Sequence, residues 1–243
     1  DWSESYNEKS NKPYGVSVLY KELPRIFKDK KFATVYHSPS TYIYANSEEG
    51  YGDFIAEGNF IIIGNSDYLD EYDVDELFLF IERGNTLFIS DYEPTKQILD
   101  TLQLTVKSFE HKNDSISTLG FSDFDLKNNE TKIDRHTTDY YFESVDTEKH
   151  KVLGYISNEQ KHVNFINIPH GDGNILLHLE PKIFTNYNVL KEERYKYVEG
   201  VMSYFQDSDV YFDSYSKLYD SFYGNAEQES DLSWFLKQNP FRW

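Results

Sequence analysis

The sequence predicts an α/β protein: one domain of 243 residues, three layers deep, around a mainly parallel central sheet of flavodoxin-like type. Three observations lead there. Phe60 to Ile63 is a continuous apolar run of strand length, the pattern of a strand buried on both faces, and Thr86 to Ile89 reads as the next buried strand. Between them Val74, Leu77, Phe78 and Ile81 fall on one helical stripe. Strand, helix and strand within about 30 residues form a βαβ unit, whose crossover is right-handed.

The elements follow in order. Residues 15–28 carry Val16, Leu19, Leu23, Ile26 and Phe27 at helical spacing, with Pro24 expected to kink or split the helix. Phe32 to Tyr36 is a short strand. Residues 37–58 read as loops around Tyr42-Ile43-Tyr44, punctuated by Pro39, Gly50, Gly52 and Gly58. After the first buried strand, Gly64-Asn65-Ser66 makes a turn. Asp70 and Asp73 stand where caps and first-turn carboxylates stabilise a helix start, and Gly84 stops that helix. Pro94 opens a helix through Ile98, Leu99 and Leu102.

Residues 103–150 turn polar and read as an insertion or edge hairpin, with weak strands at 117–121 and 140–143. Stronger strands lie at 152–157, 162–168 and 174–179, the last two joined by the hairpin turn Pro169-His170-Gly171-Asp172-Gly173. Residues 192–205 are helical, 209–212 a short strand and 213–230 a Tyr-rich loop. A short terminal helix at 232–236 closes the chain before Pro240, within a C-terminal segment near 213–243.

Composition excludes several function classes. A formal net charge of −18 opposes binding to nucleic acid or to anionic lipid, both of which need a positive surface. The absence of cysteine removes disulfides, zinc–thiolate sites, iron–sulfur clusters and thiol nucleophiles. No apolar run approaches the ~18 residues of a spanning helix, so the chain reads as soluble. Its ends carry Trp2 and Arg242-Trp243, residue types common at membrane–water boundaries. They fit either an arbitrary boundary or a soluble domain lying between two spans.

In a doubly wound sheet, ligands bind beyond the carboxyl ends of the strands. The candidate crevice is therefore bordered by Gly64, Asn65, Ser66, Ser90, Asp91 and Tyr92. Ser90 is the position to test for a nucleophile, but no Gly-x-Ser-x-Gly elbow surrounds it. Among seven histidines, His162, His170 and His178 could converge across a hairpin, without a recognised metal-binding spacing. His37, His111, His136 and His150 fall in polar context and read as surface residues. The acidic run Asp67, Asp70, Glu71, Asp73, Asp75 and Glu76 lacks the calcium-loop pattern and reads as helix capping. Gly171-Asp172-Gly173 lacks the lysine and following helix of a phosphate loop. No catalytic residue, metal or cofactor is assigned.

Several segments together resemble the bacterial domain-of-unknown-function 4350 family: Asp1-Trp2-Ser3, Lys12-Pro13-Tyr14-Gly15, Ile62 to Ser66, Glu82 to Ser90, His178-Leu179-Glu180-Pro181, Phe184-Thr185-Asn186-Tyr187 and Asn239 to Trp243. The resemblance implies a class I glutamine-amidotransferase-like fold, held on the periplasmic face of the cytoplasmic membrane by anchors outside this sequence. It further implies genes adjoining those for MoxR-type ATPases and associated membrane proteins. Amidotransferase chemistry needs a cysteine thiolate, so the fold carries over and the activity does not. The expectation is a non-catalytic extracytoplasmic binding or assembly module. Its partners would be membrane proteins of the same complex or a small ligand, and not nucleic acid. The alternatives are a divergent hydrolase using Ser90 or a histidine-held metal, and a purely structural spacer.

Overall fold

α1 (Ser17–Ile26) runs through Pro24 rather than splitting there. The proline lies in the last turn, and Phe27 N still donates to Leu23 O at 2.9 Å, so little of the helix ladder is lost. These features come from a computed structural model that describes residues 2–47 and 57–218. The helix expected at 232–236, and most of the C-terminal segment, lie outside the described residues.

β1 (Phe32–Val35) follows, then α2 (Pro39–Ala45). This helix takes up the Tyr42-Ile43-Tyr44 segment together with Pro39 to Thr41, where the sequence suggested a loop. Pro39 occupies its first turn, where a preset φ favours helix entry and the missing N–H costs nothing. β2 (Gly58–Ile63) is buried at every position. α3 (Glu71–Glu82) begins at an Asp70 cap with a reciprocal capping box to Asp73. Asp73 Oδ1 also accepts from Ser40 N at 2.9 Å and Ser40 Oγ at 2.6 Å, tying the starts of two helices together. β3 (Thr86–Ser90) is again fully buried, and α4 (Lys96–Thr101) follows.

The polar stretch is more ordered than its composition suggests. β4 (Val106–Phe121) and β5 (Thr131–Phe142) form a long antiparallel hairpin, far beyond the two weak strands expected. β6 (Lys151–Ser157), β7 (Lys161–His170) and β8 (Gly173–His178) continue as antiparallel neighbours. α5 (Asn186–Leu190), α6 (Tyr195–Met202) and β9 (Asp209–Asp213) complete the order.

Among the described residues nine strands form one sheet, β1-β9-β2-β3-β8-β7-β6-β4-β5. Half of it is parallel, from β1 to β8, and half antiparallel, from β8 to β5. The sheet is therefore mixed, not mainly parallel. The cause is the connections: hairpins join β4 to β5, β6 to β7 and β7 to β8, and a tight turn can only reverse the chain.

Alternation divides each apolar run between two faces. Ile61, Ile63, Phe88 and Leu176 pack with Leu19 and Leu23 of α1 and Val198 and Val201 of α6. Phe60, Ile62, Leu87 and Ile89 pack with Ile43 of α2, Leu77 and Phe80 of α3 and Ile98 of α4. The Gly171-Asp172-Gly173 segment is the hairpin turn the sequence indicated. Gly171 has φ +57°, and a Cβ at Gly173 would meet the carbonyl oxygens of Ile81 and Asn85 at 2.2 Å.

The segments at 12–15 and 184–187 prove to be partners. Asn186 Nδ2 donates to Ser10 O and Lys12 O, each at 2.8 Å, and its Oδ1 accepts from Val18 N at 2.9 Å. Backbone bonds from Asn186 N to Gly15 O and from Tyr187 N to Pro13 O, both 2.8 Å, close the lock. One side chain thus satisfies three main-chain groups of the N-terminal segment. Asn186→Ala should lower stability by about 2–3 kcal/mol, because it strands buried backbone groups. Asp70→Ala should cost only about 1 kcal/mol, the value of a helix cap. Urea denaturation of both variants checks the order; equal losses would show that Asn186 does not carry the lock.

Candidate functional site

The expected crevice exists, but its residues divide. Gly64, Asn65, Asp91 and Tyr92 line a cleft of about 320 Å³ at the carboxyl ends of β2 and β3, together with Glu4, Tyr6 and Lys217. Gly64 lies under the Tyr6 ring: a Cβ there would sit 2.3 Å from it, and φ is +106°. Ser66 and Ser90 do not reach the cleft and are fully buried. Asp91 Oδ2 accepts from Ser66 N at 2.8 Å and Ser66 Oγ at 2.7 Å, and Ser66 Oγ accepts from Thr95 N at 3.0 Å. This network fixes the two strand-end loops to each other. Burial pushes the Asp91 carboxyl up to about 6, against the Ser66 hydrogen bonds that favour its charge.

Ser90 Oγ lies 2.9 Å from His178 Nδ1. Glu180 N also donates to Nδ1, at 3.3 Å, and Nε2 lies 3.0 Å from Tyr197 Oη. Nδ1 is thus the acceptor nitrogen and Nε2 carries the proton. Burial holds the imidazole pKa down at about 3, so it stays neutral. Phe88, Phe165 and Phe184 surround the ring. Every polar atom of this group has a partner inside the core.

A second polar group was missed in the sequence because its members are scattered along it. Glu4 accepts from Tyr92 Oη at 3.0 Å and from Tyr6 Oη, and Lys182 Nζ pairs with it at 3.0 Å. Lys182 also donates to Arg135 O at 3.3 Å. Burial opposes the Lys182 charge, but Glu4 and Glu180 outweigh it and raise its pKa. A second cleft, about 210 Å³, opens on the other side of Glu4 and Tyr92, bounded by His136, Thr138, Tyr140 and Lys182. Behind it Glu180 is fully buried, and neither of its carboxyl oxygens has a hydrogen-bond partner among the described residues. Burial raises it to about 7, with His136 and Lys182 pulling the other way. The one signal for it in the sequence was a charge directly following the apolar strand Ile175 to Leu179.

A family model described as Domain of unknown function (DUF4350) matches residues 9–202. The chain belongs to the DUF4350 family. No curated protein matches it. Solved structures give only partial likenesses. Gan42B, a GH42 β-galactosidase from G. stearothermophilus, aligns over 59% of this chain and 21% of its own at 11% identity and TM-score 0.38. The exo-β-1,4-mannosidase Op5Man5 from Opitutaceae bacterium strain TAV5 aligns over 61% and 25%, at 9% identity and TM-score 0.41. The chain spans about a quarter of such proteins, and likenesses this weak carry no argument.

In this DUF4350 chain the histidines fall otherwise than the sequence suggested. His162, His170 and His178 do not converge: their strand partners are Ile156, Gly173 and Phe165. His162 stacks on Tyr141 at 4.0 Å, and His170 lies 3.1 Å from Glu82 at the amino ends of the parallel strands. His111, His136 and His150, expected on the surface, are largely or wholly buried. His111 and His136 come together with Asp139. The acidic run at the start of α3 does cap: Asp70 and Asp73 form its capping box. Among the described residues no helix is long and apolar enough to cross a membrane.

Asp91 gives the cleft a pH signature. Its folded pKa of about 6 exceeds its ordinary 3.8, so between these values the folded state holds more protons than the unfolded state. Stability present at acid pH is then lost as pH rises through 6, by at most about 3 kcal/mol. Asp91→Asn keeps an acceptor for Ser66 and should remove this component. Denaturation of both proteins at pH 4 and pH 7 measures it; parallel pH profiles would place Asp91 in a better-solvated setting.

Proposed function

We propose that this chain is a non-catalytic binding module whose ligand site is the pair of clefts flanking Glu4 and Tyr92. The observation that carries this reading is the donor set around Glu4. Two phenol hydroxyls and an ammonium converge on one carboxylate, with open space on either side. Charge-assisted bonds of this kind are strong and geometrically selective for a carboxylate. Glu4 is itself partly exposed and belongs to the N-terminal segment, so a ligand carboxylate can replace it on the same donors. The ligand is then an acidic small molecule or an acidic segment of a partner protein.

The extracytoplasmic, membrane-anchored setting belongs to this proposal and rests on the family resemblance of the sequence motifs. So does the reading of the parallel half of the sheet, β1-β9-β2-β3-β8, as the counterpart of a flavodoxin-like or class I amidotransferase-like core. The alternative is a hydrolase built on Ser90, favoured by its hydrogen-bond distance to His178. Burial of both residues, a neutral ring held by Tyr197 rather than by a carboxylate, and a cleft that stops short of Ser90 all support binding instead.

Two measurements test the proposal. Glu4→Ala empties the donor set and should bind acetate, succinate or a short acidic peptide at least tenfold more tightly than the unaltered chain. Adding Lys182→Met should abolish that gain. Calorimetric titrations that find no difference among the three proteins would sink the assignment. For location, Asn65→Cys places a thiol on the cleft rim of a chain that has none over these 243 residues, and the unaltered full-length protein serves as the labelling control. An impermeant maleimide should label that thiol in intact spheroplasts carrying the full-length protein; labelling only after lysis would place the domain in the cytoplasm.

A further inference from the structure

The β4–β5 hairpin carries a cluster that the binding proposal does not use. His111 on β4, and His136 and Asp139 on β5, offer ligand atoms that all lie within 4.8 Å of one another. His111 Nε2 is 3.2 Å from Asp139 Oδ2, and His136 Nε2 is 2.6 Å from Asp139 Oδ1. The three side chains are 7%, 2% and 3% exposed. His111 Nε2 makes no hydrogen bond among the described residues, although it is buried.

Backbone geometry brings the three together. His136 and Asp139 are three apart, so a regular strand would send them to opposite faces. Arg135 has φ +53°, and the β4–β5 register shifts between Glu110 and Ser115 and again before Ser117. The first shift, between the pairs Glu110↔Thr138 and Ser115↔His136, breaks the alternation between His136 and Asp139 and lets the two side chains meet, while the second, at Arg135, falls between Ile133 and His136. Bulges of this kind re-aim side chains next to functional sites, and a left-handed φ at a non-glycine residue has a conformational cost that the surroundings must offset.

The surrounding groups match what a metal centre requires. His136 turns its other nitrogen, Nδ1, to within 3.4 Å of Glu180 Oε2, the carboxylate–histidine relation that orients metal-bound imidazoles. Ser117 Oγ donates to Asp139 Oδ1 at 2.7 Å, fixing the carboxylate. A small cavity of about 90 Å³ reaches Asp139 from outside, between Phe109, Tyr141 and His162. It is large enough for a water in an open coordination position and gives an ion a way in. Two imidazoles and one carboxylate suit zinc or a similar first-row divalent ion. Calcium and magnesium prefer all-oxygen shells.

We propose that His111 Nε2, His136 Nε2 and Asp139 bind one divalent transition-metal ion, with Glu180 and Ser117 as its outer supports and the fourth position facing the small cavity. The same contacts also describe a buried His–Asp–His network with no ion, and the two readings differ in what the metal alone does. Chelator-treated protein titrated with Zn²⁺ should bind one ion per chain, and Co²⁺ should give visible absorption bands. His111→Gln and Asp139→Asn should each weaken binding by more than a hundredfold, and Glu180→Gln by tenfold or more. His162→Gln, whose ring borders the cavity but lies outside the set, should leave affinity unchanged. Absence of saturable binding would overturn the proposal, as would affinity that survives both ligand substitutions in folded protein. Should those variants not fold, ¹⁵N-histidine spectra of the unaltered chain decide. Zn²⁺ must then shift the Nε2 resonances of two imidazoles out of seven; shifts at none, or at all of them, would disprove the site.

Discussion

The architecture depends on β8, the one strand that must satisfy neighbours running in opposite directions. Ile175 to Leu177 face Leu87 to Ile89 of parallel β3 on one side and Ile166 to Ile168 of antiparallel β7 on the other. Both sets of main-chain bonds and both faces of the strand are therefore committed, and nothing solvates it. A strand so placed must be apolar on both faces and cannot slip register, since a shift by one residue would exchange its faces. It starts at a turn where Gly173 touches the main chain of α3 and β3, which sets its depth. Its other end then delivers His178 and Glu180 to fixed places, one in the core and one behind the clefts.

Elements with short-range causes were legible in the sequence. Phe60 to Ile63 and Leu87 to Ile89 are apolar at every position, the pattern of strands buried on both faces. Asp70 and Asp73 announced α3 because capping is local chemistry. The long hairpin was not legible. Its inward residues on β5 recur every three positions, at Ile133, His136, Asp139 and Phe142, and two of these four are polar. Neither the period of a strand nor that of a helix fits them, because two register shifts against β4 break the alternation and Ile133 and Phe142 are buried in different core clusters. α2 was missed because seven residues hold too little periodic signal, and the Tyr42-Ile43-Tyr44 run resembles a strand. The overall balance of the sheet also escaped: the β7–β8 hairpin was legible from its turn, but how many pairings are parallel is decided by which strands become neighbours.

The site was half legible for the same reason. The rule that ligands gather beyond the carboxyl ends of parallel strands pointed to Asn65, Asp91 and Tyr92, which line a cleft there. It could not supply Glu4, which arrives from the N-terminal segment locked in place by Asn186, nor Lys182, which follows β8 in a short turn of 3₁₀ helix. These residues are 178 positions apart in sequence and 3.0 Å apart in space. The Phe184-Thr185-Asn186-Tyr187 segment, one of those that carry the family resemblance, has a physical reason in the fold. Its asparagine holds the segment that carries Glu4.

Two buried polar groups stand side by side, and their hydrogen bonds separate their roles. Ser90, His178 and Tyr197 form a closed chain in which every atom finds a partner, and such a network stabilises a core and gives it one arrangement. Glu180, His136, His111 and Asp139 do not close. Among the described residues the Glu180 oxygens and His111 Nε2 lack hydrogen bonds, and an acid without them is costly to bury. Selection for stability alone would favour replacing Glu180 by leucine or glutamine. Burial raises the Glu180 pKa to about 7, and its Oε2 lies 3.4 Å from His136 Nδ1, so the charge of this carboxyl is tied to what the histidine binds. A cation between the histidines and Asp139 would offset the cost of burying it, since it would give His111 Nε2 a bond, draw the His136 proton toward Glu180 and balance the two carboxylates together.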